Sequence, residues 1–92
     1  MDVKQQQRLK GIAHNLKPVV LMGDKGLTEN VMLEIDMALA THQLIKVKAA
    51  KVPKDIKKVM AAEIYNKTRA ELVQLIGNIL VLYRKNPTKD KI

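Results

Sequence analysis

Leu9, Ile12, Ala13 and Leu16 recur at helical spacing near the start of the chain and predict a helix over residues 2–16. Asp2 stands where a cap is needed, and Gln5, three residues on, is its capping-box partner. Lys4, Arg8 and Lys10 lie off the apolar stripe. Pro18 ends that pattern. The run VVLM at 19–22 is short and rich in β-branched residues, which predicts a strand. It is apolar at every position, so cover on both faces is expected. Helical spacing returns from Thr28 to about His42. Val31, Ile35, Ala38 and Leu39 form the stripe, Thr28 is the N-cap, and Glu29 in the first turn suits the helix dipole.

The segment LIKVKAA at 44–50 alternates. Ile45, Val47 and Ala49 fall on one face and Lys46 and Lys48 on the other, so the pattern predicts a strand with a wet, basic face or a place near an edge. Pro53 fits the first position of a third helix over about 53–68. At 100° per residue Ile56, Val59, Met60 and Ile64 share one side of it, and Lys51, Lys54, Lys57 and Lys58 gather on the other. The last apolar stretch, 71–84, is split by Gly77-Asn78, a two-residue hairpin signal. The polar tail after it is expected to fray. The fold class is therefore α/β, one domain over 1–86 with a C-terminal tail at 87–92. Its order is α-β-α-β-α-β-β on a four-stranded mixed sheet. The first two crossovers are expected to be right-handed, with the N-terminal helix on the opposite face from the others.

Charge changes the picture from fold to partner. Seventeen Lys and Arg stand against nine Asp and Glu, a net +8 on 92 residues. A field of that sign on so small a domain points to a polyanion. Phe and Trp are absent and there are two tyrosines, so no aromatic platform for stacking bases is available, and binding must lean on phosphates and shape. There is no cysteine, which removes thiolate chemistry and Cys-based zinc sites. His14 and His42 are 28 residues apart with no carboxylate at ligand spacing. Neither a metal, a cofactor nor a small-molecule substrate is expected, and the chain does not read as an enzyme. No segment has the length and apolarity of a membrane span or signal peptide. A cytoplasmic monomer with no membrane contact is the expectation.

The stretch LMGDKGLT at 21–28 carries the one motif with ligand chemistry. Gly23 and Gly26 bracket Asp24 and Lys25 between a strand and a helix start. As a plain turn, Gly23 takes a conformation closed to other residues and Gly26 lets the helix begin close to the strand. As a binding loop, the bare backbone admits a phosphate, the helix aims its free N–H groups at it, and Lys25 adds a mobile cation. Asp24 would repel a phosphate unless it points away and braces the turn.

LKGIAHNLKPVVLMGDKGLTENV, LIKVKAA and ELVQLIGNILVLYR together resemble the CRM domain in its single-domain, bacterial YhbY-like form, over roughly residues 4–84. The resemblance implies an RNA-binding domain whose fold is similar to the C-terminal domain of translation initiation factor three. It implies association with the large ribosomal subunit precursor and its ribosomal RNA; plant relatives act in organellar intron splicing. It also implies that the glycine loop touches RNA, as in KH domains, which puts Gly23, Asp24, Lys25 and Gly26 in the site. Lys10, Lys17, Lys46, Lys48 and Arg84 are further basic candidates in the matching segments. Gly11 and Ala13 read as small residues for close packing of the first helix, and His14 as a helix-end residue. Two other classes share the charge: an architectural protein preferring DNA, and a protein-interaction module that docks on ribosomes.

Overall fold

The computed structural model describes all 92 residues. Asp2 caps the first helix as its position demands, Oδ1 accepting from Gln5 N at 2.7 Å, and α1 runs Val3–Ala13. It unwinds before Pro18 through a tightened last turn, in which Leu16 N donates to Ala13 O at 2.9 Å. The remaining elements are β1 (Pro18–Leu21), α2 (Glu29–His42), β2 (Leu44–Lys48), α3 (Lys54–Thr68), β3 (Glu71–Ile76) and β4 (Ile79–Tyr83). Gly77 at φ 55° opens the hairpin turn between β3 and β4.

The sheet order is β1-β2-β4-β3. β1 runs parallel to β2, and β4 is antiparallel to both β2 and β3. The chain therefore makes two parallel crossovers, β1-α2-β2 and β2-α3-β3, stepping in the same direction across the sheet. Right-handed connections of that kind put both helices on one face. The main core lies there: Val31, Ile35 and Leu39 of α2 and Ala61 and Ile64 of α3 pack on Val20, Ile45, Val47, Leu80 and Leu82. On the other face α1 sets Leu9 and Ala13 against Leu44, Val73 and Val81. The expected placement of the N-terminal helix is what the packing shows.

Three expectations need correction, and for β2 one of two alternatives drops out. β1 is not covered on both faces. It is an edge strand, with Val19 and Leu21 exposed. The reason is length: 11 residues of helix reach about 17 Å, and α1 spends them over Leu44, Val73 and Val81. β2 has the alternation expected of it but is central, not near an edge. In α3 the buried stripe is Lys57, Ala61, Ile64 and Thr68, while Ile56 and Val59 are exposed. Lys57 joins the stripe because its aliphatic stem packs inside while its Nζ donates to Gly77 O at 2.9 Å. Thr68 joins it because its hydroxyl is satisfied locally, by Ile64 O at 2.7 Å and Ala70 N at 3.2 Å. The C-terminal tail folds back: Gln43 Nε2 donates to Asp90 O at 2.8 Å, Arg8 donates to Ile92 O, and Ile92 packs against the cluster under α1.

Candidate nucleic-acid interface

β1 delivers the chain to the glycine loop at the end of the sheet where β2 also ends. Met22 N donates to Lys48 O at 2.8 Å, which anchors the loop beside that lysine. Gly26 N then donates to Gly23 O at 2.9 Å and closes a tight turn with Asp24 and Lys25 exposed at its tip. The glycine that needs its freedom is Gly26, at φ 71°; Gly23 is outside the left-handed region. A methyl group on Gly23 would meet no atom within 4 Å. Gly23 therefore leaves open space in front of the backbone, and the turn itself does not require a glycine there. Thr28 Oγ1 accepts from Val31 N at 3.2 Å and caps α2. The N–H groups of Glu29 and Asn30 have no acceptor within the protein. Asp24 forms no hydrogen bond or ion pair, so it does not brace the turn. With Asp24 and Glu29 on either side, Lys25 gives the loop little net charge.

β2 contributes cations beside the loop. Lys46 and Lys48 point to the face that α1 only partly covers, and neither ammonium is engaged in a hydrogen bond or ion pair. Between α1 and this face lies an open groove of about 390 Å³ whose lining includes Lys10, Gly11, His14, Lys46, Gln74 and Ile76. Two of the candidate lysines, one from a helix and one from a strand, thus meet across it. Gly11 makes no close packing contact, since a Cβ there would also find open space; Ala13 is the residue that packs.

Residues 1–84 match the CRS1 / YhbY (CRM) domain family. The chain belongs to the CRM domain family. A Haemophilus influenzae protein named RNA-binding protein is 51% identical over 84 residues, spanning 91% of this chain and 85% of the relative. A Pseudomonas aeruginosa protein named a probable RNA-binding protein is 42% identical over 88 residues, spanning 96% and 85% respectively. The solution structure of a Staphylococcus aureus protein described as a candidate RNA binder has a TM-score of 0.86 at 37% identity, covering 98% of this chain and 94% of that one.

Two of the basic candidates sit elsewhere on this CRM domain. Lys17 precedes β1 and so lies at the far end of that strand, about 20 Å of extended chain from Gly23. Arg84 follows β4 at that same far end and is already occupied. Its guanidinium donates to Asp36 Oδ1 at 2.6 Å, Asp36 O at 3.0 Å and Thr68 O at 3.0 Å, which clamps the end of β4 to α2 and α3. The structure therefore gathers Lys10, Lys46, Lys48 and the loop, and gives Arg84 a structural task.

A signal missed in the sequence bounds this surface. All 17 basic residues of the CRM domain lie outside 26–45, where Glu29, Glu34 and Asp36 stand without a single Lys or Arg. α2 is thus an acidic element on a basic protein. Its outer face lacks the positive charge that α1, β2 and α3 carry. No group of three or more His, Asp or Glu side chains forms a metal-holding cluster, and no helix is long and apolar enough to cross a membrane.

Proposed function

We propose that this chain is a non-catalytic RNA-binding protein that acts in the cytoplasm on ribosomal RNA during assembly of the large ribosomal subunit. One observation carries the reading. A family whose members bear RNA-binding names supplies the fold, and that fold here sets an unbraced, exposed glycine turn beside the free lysines of β2. The turn offers a phosphate the open backbone at Gly23 and the free N–H groups at the start of α2. Lys25 closes over it, and Lys46 and Lys48 hold the neighbouring phosphates. Asp24 lowers the attraction at the loop itself, so the larger share of the electrostatic contact belongs to β2 and α1.

Binding of this kind releases counterions, and log affinity falls with log salt by about 0.7–0.9 per phosphate neutralised. Lys25→Glu is expected to weaken binding to structured ribosomal RNA about tenfold or more and to flatten that slope, with the melting temperature unchanged because the side chain is exposed. Wild-type affinity for Lys25→Glu overturns the loop's role, and a flat salt dependence in the parent protein overturns the electrostatic mechanism. Crosslinking in cells with sequencing of the attached RNA tests the ribosomal target.

A further inference from the structure

The strand registers align one row of side chains across the whole sheet at the loop end. Leu21 pairs with Lys48, Lys48 with Ile79, and Ile79 with Ile76. Directly paired residues share a face, and Ile79 packs beside the α1 cluster, so the row lies on the α1 side. α1 does not reach its ends. Leu21 is 67% exposed and Ile76 52% exposed. Leu21 stands two residues before Gly23, and Ile76 also lines the groove that holds Lys10 and Lys46. The arrangement is an aliphatic strip with free ammonium groups between and beside its members, continuous with the loop.

We propose that this strip is a platform for unpaired RNA nucleotides, whose bases lie on Leu21, Ile79 and Ile76 while their phosphates are held by Lys46, Lys48 and the glycine loop. The inference rests on the RNA reading and narrows it to a substrate class. A duplex hides its base faces and presents only phosphates and grooves, so it gains nothing from exposed leucine and isoleucine. A protein partner would gain from the apolar residues but would be opposed by lysines in their midst unless it were acidic. Single-stranded RNA satisfies both components at once: base faces lose water against aliphatic carbon, and the backbone meets the cations. Lys46 and Lys48 are two residues apart on one face, about 7 Å along the strand, which suits successive phosphates of an extended chain. The aliphatic strip takes the place of the aromatic platform that this chain lacks.

The test uses the full chain with a mixed-sequence single-stranded RNA oligonucleotide and the same strand annealed to its complement, each titrated over a salt series. Leu21→Thr with Ile76→Thr places β-branched, strand-compatible side chains at exposed positions and removes no charge. It is expected to weaken single-strand binding about five- to tenfold, less than an aromatic deletion, with the salt slope unchanged and duplex affinity within about twofold. The opposite variant, Ile76→Tyr, adds a stacking face and is expected to tighten single-strand binding at least about threefold, which keeps the proposal testable if the double variant folds poorly. Unchanged single-strand affinity in both variants, or equal losses on single strand and duplex, overturns the platform while leaving loop-dependent RNA binding intact. Failure of the parent protein to bind either probe overturns the RNA reading itself.

Discussion

Replacing Gly23 and Gly26 in turn by alanine separates the loop's folding role from its binding role. Gly26 sits at φ 71°, a region in which a Cβ costs about 1–2 kcal/mol. Removing a glycine also restricts the unfolded chain, which returns about 0.4–1 kcal/mol. The contact between the new Cβ and Met60 Cε, 3.7 Å, is ordinary and adds no penalty. Gly26→Ala should therefore lose about 1 kcal/mol net, or about 4–8 °C in melting temperature for a domain of this size. Gly23 has no left-handed φ and open space where its Cβ would stand. Gly23→Ala should leave stability unchanged or raise it by up to about 1 kcal/mol. That same methyl group fills the approach to the backbone, so affinity for structured RNA should fall about tenfold, or about 1.4 kcal/mol. Thermal unfolding by circular dichroism and RNA titration by fluorescence anisotropy at fixed salt give the two readouts. RNA binding by Gly23→Ala at parental strength would refute backbone approach at Gly23. A melting temperature for it as low as that of Gly26→Ala would refute the assignment of the strained glycine.

Two further outcomes test the packing that presents the interface. Arg84→Met keeps the aliphatic stem but strips a partner from Thr68 O, on a buried residue, which costs about 1–3 kcal/mol, and breaks a largely solvated ion pair with Asp36 worth about 0–1 kcal/mol; chemical denaturation should report a loss of about 2–3 kcal/mol, while RNA affinity stays within about twofold because Arg84 is at the far end from the loop. In α3, Val59→Lys at an exposed position should change stability by less than about 0.5 kcal/mol, whereas Ile64→Ala in the core should cost about 2–5 kcal/mol; a loss from Val59→Lys as large as that from Ile64→Ala would restore the stripe that periodicity alone assigns.

Most of the architecture was legible because α2, β2 and the Gly77-Asn78 hairpin each carry one unambiguous period or turn signal. The α1 cap was equally plain, since Asp2 and Gln5 stand at the capping distance. The parts that escaped depend on partners distant in sequence. An all-apolar run such as VVLM reads the same whether a helix covers it or not, and only the short reach of α1 leaves Leu21 exposed. The phase of α3 shifted because a lysine counted as polar, Lys57, buries its stem to reach a carbonyl in the hairpin turn. Arg84 counted among the basic candidates because its partner, Asp36, is 48 residues away. Within the loop, the motif named both glycines, but only the backbone torsion shows that Gly26, at φ 71°, is the one in the left-handed region. The strip beside the loop was hidden because its four members come from four strands and meet only through register.

Backbone amide mapping by nuclear magnetic resonance, with unlabelled ribosomal RNA titrated into isotopically labelled protein, tests the loop-centred interface most directly. The largest shifts should fall on Gly23–Gly26, on Lys46–Lys48 and around Ile76, with the outer face of α2 at Leu33 and Met37 silent. Shifts centred on α2 or on the Arg84 end of the sheet, with the glycine loop unmoved, would contradict it.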